Sequence, residues 1–173
     1  MYFVTICTKK FQCWFGEVVN GKMVLNEMGE VADSCWVEIP DHFDHVELDE
    51  YVVMPNHVHG IIGITDVETQ HTDVKTQHAV SLREHTNKFG PLKMGSLSTI
   101  IGSYKSAVTK SIRKTHHPNY SWHPRFYDHV IRHKYSLERI QHYILLNPKN
   151  WNKDRNVIEE DKEFISKFKA KPR

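Results

Sequence analysis

The sequence has no apolar run approaching the ~20 residues that a membrane-crossing helix requires, so no membrane partner is expected. Its N-terminus also lacks the charged-then-apolar pattern of a secretory leader. Cysteine is scarce: Cys7, Cys13 and Cys35 are odd in number and sit among apolar neighbours. That pattern suits reduced thiols and a cytoplasmic location better than a disulfide framework. An excess of one charge is missing too, with 23 Lys plus Arg against 21 Asp plus Glu. Net charge therefore makes no case for a nucleic-acid partner. What remains is ordinary globular material. The 173 residues, 39% hydrophobic and 25% charged, argue against global disorder and suit one domain. A fold of this size buries roughly 70% of its unfolded surface and needs no staple merely to stay folded.

Charge is unevenly placed. Acidic residues crowd into 27–50 and 154–163, while the Lys and Arg residues of 102–139 are opposed only by Asp128 and Glu138. A basic strip can attract phosphates or simply form a solvated helix face. Histidine is abundant at 13, which weakens the meaning of any single pair.

The element pattern begins with a strand at Tyr2 to Thr8 and a hairpin turning at Asn20-Gly21, where a type I′ turn needs two positive φ angles. Asn26 is placed to cap a helix whose buried stripe is Met28, Val31, Ala32, Cys35 and Ile39, with Pro40 ending it. Alternation then predicts two adjacent strands around Pro55-Asn56. The first points Val46, Leu48, Val52 and Met54 one way and Glu47, Asp49 and Tyr51 the other. The second points Val58, Ile62 and Ile64 one way and His57, His59 and Ile61 the other. Thr65 to His71 and Thr72 to His78 are nearly identical seven-residue copies, so 65–95 reads as a variable loop insertion, more a surface duplication than a histidine metal repeat. Ser96 or Ser98 caps a helix buried through Leu97, Ile100, Ile101, Tyr104, Val108 and Ile112. A short extended stretch over Trp122 to Arg132 follows, then a helix from Ser136 with Leu137, Ile140 and Ile144 inward, ended by Pro148. Residues 152–173 read as a charged tail. This order lacks regular βαβ alternation and predicts an α+β domain, an antiparallel sheet covered by helices.

Three features could carry chemistry. His57 and His59 are two apart on a strand, so both imidazoles leave one face and could share a metal ion, or be an ordinary surface or cavity pair. Tyr143 and Asn147 are four apart on a helix, hence stacked on one side; they could act together, or be a packing tyrosine and a helix cap. Lys105, Lys110, Arg113, Trp122, Arg125, Phe126, Tyr127 and Arg132 mix cations with rings, as a single-stranded nucleic-acid surface does, and as a solvated face with core aromatics also does.

The wording of four blocks adds to this. Tyr51-Val-Val-Met-Pro-Asn-His-Val-His-Gly60 resembles the HUH motif (His, hydrophobic residue, His) of the one-tyrosine transposases. Ser96-Leu-Ser-Thr-Ile-Ile-Gly-Ser-Tyr-Lys-Ser-Ala-Val-Thr109 and Phe126-Tyr-Asp-His-Val-Ile-Arg132 are similar to two further blocks, and Tyr143-Ile-Leu-Leu-Asn-Pro148 to the catalytic-tyrosine helix. The resemblance runs in order over Tyr2 to Trp151 and is nearest to the REP-associated tyrosine transposases.

It implies a ferredoxin-like catalytic domain over 1–151 and a metal-dependent single-strand DNA endonuclease and strand transferase. Tyr143 would be the nucleophile, leaving a 5′-phosphotyrosine. His57, His59 and Asn147 would hold Mg²⁺ or Mn²⁺, the amide of Asn147 being a weak ligand. Lys105, Arg125 and Arg132 would contact DNA, with single-stranded or hairpin-forming repeat DNA as the partner. His129 lies in a matching block without an assigned role. The metal answers a definite need: a phenol of pKa about 10 is only about one part in a thousand ionised near neutrality, a deficit of roughly 4 kcal/mol. A domesticated, non-mobile DNA-binding or repeat-processing protein of the same fold is the alternative, and monomer and homodimer both stay open.

Overall fold

The computed structural model describes residues 1–65, 95–115 and 117–154. The tandem copies from 66 onward, the rest of the 65–95 insertion and the tail from 155 lie outside the described residues. The elements are β1 (Tyr2–Cys7), β2 (Gly16–Val19), β3 (Lys22–Leu25), α1 (Glu27–Val37), α2 (Ile39–His42), β4 (Val46–Met54), β5 (His57–Ile64), α3 (Leu97–Lys114), β6 (Tyr127–Val130) and α4 (Lys134–Asp154).

β1, β4, β5 and β6 form an antiparallel sheet in the order β4-β5-β1-β6. With the β2–β3 hairpin and the single turn α2 set aside, the path is β-α-β-β-α-β, the ferredoxin-like α+β arrangement. α1 and α3 cover one face, where Trp36, Ile100, Ile101, Tyr104 and Val108 pack on Val4, Ile6, Val58 and Ile62. α4 covers the other, with Ile140 and Ile144 against Phe3, Ile61 and Ile131. Period-two alternation thus serves two cores at once.

The local signals act where the chemistry requires. Asn20 (φ 51°) and Gly21 (φ 72°) make the hairpin turn. Asn26 accepts hydrogen bonds from the Met28 and Gly29 amides, and Ser96 accepts one from Thr99.

Three expectations need correction. α1 stops at Val37, and Ile39 belongs to the separate turn α2; the centre of the buried stripe is Trp36, fully buried between Tyr51 and Tyr104. In β4 the alternation breaks at a bulge between Leu48 and Tyr51, where two residues oppose one on β5. The bulge flips the phase, so Val52 packs toward α4, whereas Tyr51 and Val53 join Val46 on the α1/α3 side. Pro148 does not end α4, which continues to Asp154. Proline removes a helical hydrogen bond, and burial of Trp151 one turn later offsets that loss.

Candidate active site

The Pro55-Asn56 turn sets β5 so that His57 and His59 leave the α4 face, with ring centroids 4.4 Å apart. Asn56 then fixes one of them. Its amide nitrogen donates to the Phe11 carbonyl (3.2 Å), which turns its oxygen toward His57 Nδ1 at 2.7 Å. Only a protonated Nδ1 can bond to that oxygen, so His57 carries its hydrogen there and keeps a lone pair on Nε2. Across the strand pair, Thr5 Oγ1 lies 2.9 Å from His59 Nδ1. His59 Nε2 faces inward, 3.3 Å from the Tyr143 hydroxyl.

α4 brings Tyr143, Asn147 and Trp151 onto one side at four-residue steps. The Tyr143 ring meets His59 at 5.3 Å and Phe3 edge-on at 6.1 Å, and the Trp151 ring lies 6.1 Å from His57. Asn147 is 1% exposed. The helix is tethered over the sheet by Gln141, which donates to Asp49 Oδ1 (2.8 Å) in the bulge of β4. The bulge that broke the alternation therefore supplies the anchor for the helix carrying Tyr143.

Burial dominates the electrostatics. It pushes His57 down to about 4, opposed by the neighbouring Asn147 amide. It pushes His59 well below the usual histidine range, with His57 adding to the effect. Both imidazoles are held neutral by desolvation.

His57 Nε2 and both amide atoms of Asn147 are buried without a hydrogen-bond partner. Leaving such atoms unpaired costs about 1–3 kcal/mol each, and a cation between them would satisfy the nitrogen lone pair and the amide oxygen. The donor set of two imidazoles and an amide fits a divalent ion with positions left open. Among the described residues no group of three His, Cys, Asp or Glu is arranged to hold a metal.

The cations implied as DNA contacts are dispersed. Lys105 is half-buried and donates to the carbonyls of His123 (2.7 Å) and Pro124 (3.3 Å), fastening the loop that leads to Arg125. Arg113 does the same at Tyr120 (3.0 Å). Arg125 and Arg132 are exposed, at either end of β6. His129 stands opposite Phe3 in the β1–β6 register. Thr5, Asn56, Phe3 and Trp151 touch the histidine–tyrosine cluster without having been singled out; only the register of β1 on β5 and the course of α4 past Pro148 reveal them.

A protein of Haemophilus influenzae (strain ATCC 51907 / DSM 11121 / KW20 / Rd), described only as uncharacterized, is 36% identical over 160 residues, covering 91% of this chain and 85% of that one. The two belong to one family. No family model matches the chain. The chain's α+β fold is like that of a solved transposase. A REP-associated tyrosine transposase bound to a REP hairpin superposes with a TM-score of 0.54 at 17% identity. That likeness covers 86% of this chain, which spans 66% of the other. It is a likeness of fold. Among the described residues of this family member, no helix is long and apolar enough to cross a membrane.

Proposed function

We propose that the protein is a metal-dependent single-strand DNA endonuclease and strand transferase acting on hairpin-forming repeat DNA. One observation carries the reading: a phenol hydroxyl 3.3 Å from one of two paired imidazoles, beside a buried nitrogen and a buried amide without partners. Tyr143 Oη forms a bond to phosphorus, the P–O3′ bond breaks, the phenol loses its proton and the 3′ oxygen gains one. The product is a 5′-phosphotyrosine with a free 3′-hydroxyl, and because the phosphodiester energy is kept, a strand can be rejoined without ATP.

His57 Nε2, His59 Nε2 and Asn147 Oδ1 would hold Mg²⁺ or Mn²⁺. Bound there, the ion would polarise the scissile phosphate and offset developing charge, a contribution of several kcal/mol. Asn56 and Thr5 orient the two imidazoles from behind, and Phe3 and Trp151 exclude water from their flanks. Arg125 and Arg132, both exposed, would meet the DNA backbone, while Lys105 would act through the loop it fastens. The REP hairpin carried by the transposase of like fold is consistent with this partner. Every group required comes from one chain, so the reading needs no second copy.

The test is a labelled single-stranded or hairpin oligonucleotide incubated with protein and Mn²⁺. A denaturation-resistant protein–DNA adduct is expected, and Tyr143→Phe should abolish it. An adduct that survives the substitution removes Tyr143 from the role, and no adduct on any hairpin substrate overturns the enzyme.

A further inference from the structure

Between β1 and the start of β6 lies a cavity of about 240 Å³ lined by Thr5, Phe11, His123, Arg125, Phe126 and Tyr127, among others. It is smaller than the roughly 300–1,000 Å³ of drug-sized pockets and of a size for one planar base. Thr5 joins it to the candidate active site, because its hydroxyl contacts His59 while its side chain lines the cavity. No acidic side chain lines it among the described residues. Arg125 does, and Lys9 and Lys10, both exposed, precede Phe11. An anion-bearing flat ligand matches this lining.

Phe11 is unusual by itself. It is 50% exposed and belongs to neither hydrophobic core, yet its backbone is costly to hold. Lys10 (φ 57°) and Phe11 (φ 54°) are consecutive left-handed residues, neither of them glycine. Such positions cost of order 1–3 kcal/mol each and persist only where surroundings impose them. Here the surroundings do: the Lys9 amide donates to Ser121, Thr8 Oγ1 to Gln12, and Asn56 Nδ2 to the Phe11 carbonyl. The other end of that same Asn56 amide orients His57. One side chain thus sets both the exposed ring and a candidate metal ligand.

We propose that this cavity is a base-binding subsite of the DNA path, with Phe11 stacking on one base next to the scissile phosphate and Arg125 meeting its backbone. The assignment rests on the single-strand DNA reading above and adds the residues that would position the strand. Stacking on an aromatic ring tolerates any base, so the subsite would fix position more than sequence.

Single-stranded oligonucleotides carrying 2-aminopurine at successive positions test it, with fluorescence and adduct formation read in the same samples. With the natural protein, one position should quench on binding. Phe11→Ala should bind about tenfold more weakly and lose that quench, while Phe11→Trp restores it. Arg125→Ala should lower the slope of log affinity against log salt by about one. If Phe11→Ala binds and quenches like the natural protein, the subsite is overturned, whatever the adduct does. A Phe11-dependent quench without any adduct leaves the subsite standing and removes the covalent chemistry. No single-strand binding at all overturns both.

Discussion

Asn147 is a polar residue kept where a hydrophobic one would pack better. Both of its amide atoms are buried and unpaired, which is costly in a protein whose total stability is of order 5–15 kcal/mol. Asn147→Leu should therefore raise metal-free stability by about 1–3 kcal/mol in chemical denaturation, while abolishing Mn²⁺-dependent adduct formation. A merely structural asparagine would lose stability instead. Asn56 makes the complementary case. Asn56→Ala frees the His57 tautomer and should weaken Mn²⁺ binding roughly 10- to 100-fold by calorimetry.

At the scale of elements, β5 and α4 each carry a residue choice that local propensity disfavours. Gly60 weakens a strand, yet a Cβ there would run into the Trp36 ring of α1, which packs on that face of the sheet. Gly60→Ala should cost about 1–3 kcal/mol by overpacking, seen as a lower denaturation midpoint with an unchanged slope. Pro148 should stop α4, but Trp151 is only 8% exposed and holds the following turn against His57. Trp151→Ala should cost about 3–5 kcal/mol. It should also unwind the helix beyond Pro148, visible as lost helical circular dichroism and faster amide exchange there.

The molecule as a whole buries phenols as well as hydrocarbon. Burial, then the hydrogen bond to Asp33, pushes Tyr51 up to about 12. Burial also drives Tyr104 and Tyr120 well above the usual range. In the unfolded chain these groups ionise near 10, so above that pH the unfolded state binds fewer protons than the folded one. Stability is then full below pH 10 and falls as the pH rises toward 12. Absorbance near 295 nm should show part of the tyrosine ionisation delayed and coincident with unfolding; three phenols titrating freely near 10 would contradict the fold's packing.

Local chemistry was readable without coordinates. Asn20-Gly21, Asn26 and Ser96 act through bonds to near neighbours, and His57 with His59 must share a face because strand periodicity is two. So the α+β class and the pairing of the two histidines came from the chain itself. The bulge at 49–50, the passage of α4 through Pro148, and the meeting of Asn56 with both Phe11 and His57 depend on contacts between residues distant in the chain. Only the tertiary structure decided those, because burial of Trp151 and the register of β4 on β5 outweigh what the neighbouring residues prefer.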